Sequence, residues 1–208
     1  MKAEAVNGLH RLVFATRNEG KLGELVDLLA GSGWHVEQLP DDIHDYAETG
    51  ATFADNARGK ALHAAARLGV PVLADDSGLQ IDALGGEPGV HSARYVDPAM
   101  TPSERNLAVL ARLGDVPAAE RTARFVCHLV LAEGGRVVHE TTGTCEGVIA
   151  GEARGEGGFG YDPIFLVPEL GATFAELPRA KKSRISHRGR AVRAMAAFLR
   201  GWGPHPAS

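Results

Sequence analysis

Cysteine is scarce in this 208-residue chain: only Cys127 and Cys145 occur, with no Cys-x-x-Cys or Cys/His ligand spacing around them. That excludes a disulfide scaffold and a structural zinc site, and it fits a reducing cytosol. Long apolar runs are missing too. No stretch approaches the ~18 uninterrupted apolar residues of a membrane span. The opening MKAEAVNGLH has no apolar run long enough for a signal peptide. A cytoplasmic location, away from membranes, is therefore expected. Nor is there a surplus of one charge: 22 Lys plus Arg stand against 26 Asp plus Glu, a formal net charge of −4. This balance argues against a protein that grips a nucleic-acid polymer by bulk charge. It leaves room for a small polyanion, which needs only a local cluster of cations. Aromatic residues make up only 6%, and no internal repeat or dividing linker interrupts the chain. With 44% hydrophobic residues the chain is not disordered. A single domain with two lobes, residues 1–208, is the simplest reading.

What is present is glycine, 26 residues without a fixed period, and a regular alternation of strand and helix signals. Residues 11–16 read as a short buried strand, followed by a helix with Asn18 as its cap. Leu22, Leu25, Val26, Leu28 and Leu29 are expected on one face of that helix, which Gly31 and Gly33 end. Residues 34–39 alternate as a strand, and 40–51 form an acidic connection. Thr52 and Asp55 have the spacing of a capping box ahead of an Ala-rich helix to about 68, which Gly69 and Pro71 stop. Residues 71–74 are an apolar strand leading directly into Asp75-Asp76-Ser77-Gly78. The order strand–helix–strand–helix–strand is that of an α/β domain. A Gly/Pro-rich loop spans 85–98. Thr101, Pro102 and Glu104 start a further helix with Leu107, Leu110 and Leu113 toward the core. Residues 122–132 and 136–149 read as a hairpin, 151–160 as a glycine-rich loop, and 187–200 as a helix behind Ser186.

Five clusters carry chemistry. Thr16-Arg17-Asn18-Glu19-Gly20-Lys21 lies between strand and helix, where backbone N–H groups and the helix dipole favour an anion. It is not a P-loop, because that spacing is absent. Asp75-Asp76-Ser77-Gly78 is read at the carboxyl end of an apolar strand, where ligands of open α/β sheets collect. Adjacent carboxylates there repel unless a proton or a cation relieves them, and a hard ion such as Mg²⁺ is a natural solution. One of the pair is then placed to act as general base toward water. Glu48-Thr49-Gly50 adds a carboxylate within the acidic segment. Gly157-Gly158-Phe159-Gly160-Tyr161-Asp162-Pro163 suits a loop that stacks a planar ring. Seven cations and no acid occupy 179–193, with Lys182, His187 and Arg188 among the groups able to hold phosphates or donate to a base. Each cluster taken alone also fits a plain structural role: a capped helix, an Asx turn, an acidic loop, a β-turn, a basic face.

Together they have a known counterpart. FATRNEGK at 14–21, ETGATFADNARGKA at 48–61, LADDSGL at 73–79, LGGEPGVHSARY at 84–95, GGFGYDPIF at 157–165 and KSRISHRGRA at 182–191 occur in one order across nearly the whole chain. In this the sequence resembles the inosine triphosphatase (Ham1-like) family, pyrophosphatases of deaminated purine nucleotides, and most closely its bacterial form. The resemblance implies Mg²⁺-dependent hydrolysis of dITP, ITP and XTP to the monophosphate and pyrophosphate. It also implies an elongated α/β fold, with a central mixed β-sheet flanked by helices and two lobes around a substrate cleft, and a homodimer. Carried over by position, it makes Asp76 the proton acceptor and a metal ligand, with Asp75 beside it and Glu48 as a further ligand. Thr16, Arg17, Asn18, Glu19, Gly20 and Lys21 become the triphosphate loop, with Lys60 facing the phosphates and Ser77 touching substrate. Phe159, Gly160, Tyr161, Asp162, Lys182, His187 and Arg188 become contacts to base and phosphate. Arg17 departs from many relatives, which have glycine there, and Ala47 stands where some have an acid. Two other readings stay open on residues alone. One is a phosphatase with an aspartyl nucleophile, which usually shows D-x-D. The other is a nucleotide- or RNA-binding module built on 179–193.

Overall fold

The computed structural model describes residues 8–203. Most of the amino-terminal stretch considered above for a signal peptide lies outside the described residues, as do residues 204–208. Among the described residues seven strands form one open mixed sheet: β1 His10–Phe14, β2 Trp34–Gln38, β3 Val72–Ile81, β4 Thr122–Glu133, β5 Arg136–Ile149, β6 Phe165–Val167 and β7 Ala172–Thr173. Their order is β2-β1-β3-β4-β5-β6-β7. β1 runs parallel to β2 and β3, while β6 is antiparallel to β5 and β7. The helices are α1 Glu19–Leu29, α2 Phe53–Leu68, α3 Pro102–Leu113, α4 Arg179–Ile185 and α5 His187–Leu199. The α/β class expected from the alternation is therefore the class observed.

The chain divides into two compact units. The first takes the chain through Asp76, Cys127–Gly143 and the part from Gly189 on; the second takes Ser77–Val126 and Thr144–Arg188. In the first unit the pleat of β1 sends alternate residues into two cores. Leu12 and Phe14, with Leu73 of β3, meet Leu25 and Leu29 of α1 and Val192, Met195 and Leu199 of α5. Val13 and Ala15, with Val72 and Ala74, meet Ala57, Ala61, Ala64 and Ala65 of α2. Small residues at helical spacing let α2 lie close against the sheet. Fully burying a side chain such as Leu12 or Phe14 contributes roughly 1.5–3 kcal/mol. In the second unit Leu79 and Ile81 of β3 pack with Val109 and Leu113 of α3 and with the rings of Phe125, Phe165 and Phe174. Phe165 sits with its centroid 4.6 Å from Phe125 and 4.9 Å from Phe174.

The start signals hold in detail. Asn18 Oδ1 accepts from Lys21 N, and Thr52 Oγ accepts from Asp55 N. Thr101 and Glu104 form a reciprocal capping box, and Gly69 ends α2 in the left-handed region. Gly134-Gly135 joins β4 to β5 as the two-residue turn of a hairpin.

Other expectations need correction. β3 does not stop at residue 74 but runs on to Ile81, so Asp75 and Asp76 lie inside the strand and not at its carboxyl end. Buried partners let these acids stay in the ladder, as described below. Leu107 is 63% exposed, because the buried face of α3 is set by Asn106, Val109 and Leu113. Those positions follow the i, i+3, i+7 spacing that excludes 107. Val26 is exposed on α1 for the same reason, while Leu25 and Leu29 are buried. Residues 179–185, read only as a basic stretch, form a short helix. β6 and β7 are too short for their alternation to be legible.

Candidate active site

In the first unit the strand period separates the two adjacent acids. Asp75 shares the face of Leu73, toward α1, and Asp76 shares the face of Ala74, toward α2. Each meets its own partner there. Lys21 Nζ, from the first turn of α1, lies 3.1 Å from Asp75 Oδ1 and 3.0 Å from Oδ2. Asn56 Nδ2, in the first turns of α2, donates to Asp76 Oδ2 at 2.9 Å. Both acids are almost fully buried. Mutual repulsion is thus relieved first by the pleat and by these partners, a different solution from the shared cation expected of a strand-end pair.

Glu48 and Lys60 complete the group. Lys60 Nζ donates to Glu48 Oε1 at 2.8 Å. Burial works against the Lys60 charge, but Asp75, Glu48 and Asp76 outweigh it, so its pKa lies above the ordinary lysine value. Burial pushes the Asp76 carboxyl above the ordinary carboxylate range; Lys60 and the Asn56 amide oppose this, Glu48 adds to it, and Lys21 opposes it weakly. A carboxylate held unwillingly charged beside an ammonium is poised to take a proton or to bind a cation. Among the described residues no three His, Cys, Asp or Glu side chains are grouped to hold a metal by themselves. The donor set nonetheless fits Mg²⁺, which takes one or two protein carboxylates and completes its shell with substrate phosphates and water. Asp76, Glu48 and Asp75, all acting on Lys60, are the carboxylates of that kind here, and Asp75 is also paired with Lys21.

The phosphate-loop residues are placed unevenly. Thr16 Oγ accepts from Asn18 N at 3.2 Å, which shapes the entry to α1. Glu19 and Gly20 are exposed in the first turn of α1. Arg17 does not aim its guanidinium into the loop. It donates to the carbonyls of Leu39, Pro40 and Ile43 and to Asp41 and Asp45, tying down the acidic segment. The expectation that its side chain enters the phosphate loop is corrected accordingly.

The second unit gathers the remaining residues. Lys182 Nζ donates to Asp162 Oδ2 at 2.6 Å, both being buried. The same oxygen accepts from Phe159 N at 2.8 Å. A Cβ on Gly158 would lie 2.0 Å from that oxygen and its φ is +72°, so only glycine fits. The Phe159 ring carries Lys182 Nζ 4.8 Å and the Arg188 guanidinium 5.5 Å from its centroid, a cation–π arrangement. Arg188 also donates to Ser77 Oγ at 3.0 Å, and His187 stacks on Phe125 at 4.6 Å. Tyr161 is buried with its hydroxyl donating to Ser92 O, and burial raises its pKa. It therefore anchors the loop; Phe159 is the half-buried ring.

Two buried asparagines escaped sequence reasoning. Asn56 holds Asp76, and Asn106 Nδ2 donates to Gly160 O at 3.1 Å, fastening the aromatic loop to α3. The one available signal was a polar residue at a core-facing helix position, which both occupy.

Comparison with known proteins agrees with the motif order. The model of the Ham1 family matches residues 12–198. A dITP/XTP pyrophosphatase of Gloeobacter violaceus is 57% identical over 182 residues, 88% of this chain and 90% of that protein. Another, of Geobacillus kaustophilus, is 52% identical over 187 residues, 88% and 91% of the two chains. Among solved structures, a HAM1 protein from Coxiella burnetii superposes with a TM-score of 0.85 at 41% identity, covering 92% of this chain and 99% of that one.

Proposed function

The chain belongs to the Ham1 family, and from that premise we propose that it is a hydrolase cleaving dITP, ITP and XTP between the α- and β-phosphates. The products are the nucleoside monophosphate and pyrophosphate, and the effect is to clear deaminated purines from the nucleotide pool. The relatives' activity supports the reading. The single observation that carries it is the buried Asp76 carboxylate, raised by burial and flanked by Lys60, Glu48 and Asn56.

In this reading Asp76 takes a proton from a water whose oxygen attacks the α-phosphorus. The new P–O bond forms as the bond to the bridging oxygen breaks, and the electron pair leaves with pyrophosphate. Lys21 and Lys60 stabilise the charge that grows on the leaving group, in a site where buried cations act strongly. Mg²⁺ held by Asp76 and Glu48 would supply additional neutralisation of phosphate charge. The N–H groups at the α1 start, with Thr16 and Asn18, receive phosphate oxygens. Phe159 stacks the base, and Arg188 or His187 donates to its 6-oxo group. The 6-amino group of adenine presents donors instead, and an unmatched buried polar group costs about 1–3 kcal/mol.

The test is a panel of dITP, ITP and XTP against ATP, dATP and GTP, with and without Mg²⁺, following pyrophosphate. Release from the deaminated substrates, with little from ATP, supports the reading. Orthophosphate as the sole product points to the aspartyl phosphatase. Salt-sensitive RNA binding without turnover points to the binding module.

A further inference from the structure

We propose that Asn56 is a positioning residue for Asp76, locked in a single orientation by the backbone of Gly50. The inference rests on the general-base role given to Asp76 above. Asn56 is fully buried on α2, and both ends of its amide are engaged. Oδ1 accepts from Gly50 N at 2.8 Å, and Nδ2 donates to Asp76 Oδ2 at 2.9 Å. The chemistry leaves no ambiguity of flip: a backbone N–H can only donate, so the amide oxygen must face Gly50 and the NH₂ must face the carboxylate.

The clamp depends on a close approach. A Cβ on Gly50 would lie 2.7 Å from Asn56 Oδ1 and 2.7 Å from Asp55 Cβ, so any side chain there would push the amide away. The helix end is itself fixed, since Thr52 caps α2 and its carbonyl accepts from Asn56 N at 3.2 Å. A rigid helix start and a glycine backbone thus set the amide, and the amide sets the rotation of the Asp76 carboxylate. An amide does this without adding charge, unlike a lysine, so it orients the base without neutralising it. The Glu48-Thr49-Gly50 segment gains a second purpose: Glu48 reaches Lys60 while Gly50 holds Asn56.

The experiment is a double-mutant cycle with dITP as substrate and pyrophosphate release as the rate. Asn56→Ala is expected to lower kcat about 10–100-fold, the usual loss when a residue orienting a functional ligand is removed. KM should change less than about threefold, and the Kd for dITP measured in EDTA should be unchanged. In an Asp76→Asn background the same substitution should lower the residual rate less than about threefold, because the group it positions is gone. An equal loss in both backgrounds, or a loss carried by KM and Kd alone, overturns the proposal. If Asn56→Ala does not fold, Gly50→Ala disturbs the clamp from its other end and faces the same criteria. Failure of the underlying reading looks different: parent and Asp76→Asn would then release pyrophosphate equally.

Discussion

Two buried ionic groups, one in each unit, follow different plans. In the first, three carboxylates (Glu48, Asp75 and Asp76) share two lysines, Lys21 and Lys60, and one amide. In the second, one lysine meets one carboxylate at 2.6 Å, framed by the rings of Phe159 and Phe174. The first group has an excess of negative charge at low exposure and holds Asp76 above its ordinary pKa. In the second, the Lys182–Asp162 pair matches one charge with one and holds a loop of glycines in one shape, with the Arg188 guanidinium a further cation over the Phe159 ring. An acid-rich cluster is suited to accepting a further cation and a proton. A neutral, ring-framed pair is suited to presenting a flat apolar surface.

The largest effect should come from breaking the first group at its base. Asp76→Asn keeps the shape and the bond from Asn56, and it is expected to retain dITP binding while kcat falls by ~10³-fold or more, at the upper part of the range for general-base removal. Near-normal turnover in the folded variant would remove Asp76 from the mechanism and with it the contrast between the groups.

Next is the second group's pair. Lys182→Met leaves the Asp162 carboxylate buried without its ammonium partner, and loss of one partner of a buried pair costs about 3–5 kcal/mol. Lys21→Met removes a lysine from the group with shared partners, and the side chain is 17% exposed, against 6% for Lys182. Urea unfolding should therefore show a clearly larger loss for Lys182→Met. Equal losses would mean that partner number and burial do not distinguish the two sites.

How much of this was legible in sequence follows from the range of each interaction. Caps at Asn18, Thr52 and Thr101 are decided within three residues, and each was readable. The roles of Asp75 and Asp76 were not, because they depend on which face of β3 each occupies and on helices that arrive from elsewhere in the chain. Reading them as a strand-end pair was natural from an apolar run followed by polar residues. Partners on α1 and α2, 54 and 20 residues away in sequence, keep both inside the strand. Asn56 and Asn106 look like ordinary polar positions of amphipathic helices until the helices are packed. Arg17 was visible as unusual, but its targets at 39–45 lie beyond α1 and β2.

A smaller effect should appear in the pH dependence of stability. Asp76 has a raised pKa in the folded chain, so the fold holds its proton more tightly than the unfolded chain does. The stability linked to that proton is fully present below the unfolded pKa, near 4. It is lost as pH rises through the folded value. Asp76→Asn removes the loss. In the metal-free protein the variant should melt a few degrees above the parent at pH 7, with the gap closing toward pH 4. Thermal unfolding in EDTA at several pH values reads this directly, and a gap that widens on acidification would reverse the assigned sign.

The smallest effect belongs to Arg17. Its guanidinium donates to three carbonyls and two carboxylates of the 39–45 segment. Asp41 and Asp45 are largely exposed, so those ion pairs are screened and worth little. The carbonyl contacts order a loop whose groups can turn to water instead. Arg17→Ala should therefore cost about 1 kcal/mol or less, raise proteolytic sensitivity within 39–45, and leave KM for dITP within about twofold. If KM rose tenfold, or about 1.4 kcal/mol, with the 39–45 segment still protected, the guanidinium would be acting on the phosphates. The surplus of acid in the first group would then be smaller than its buried residues indicate, because a third cation would serve the same substrate.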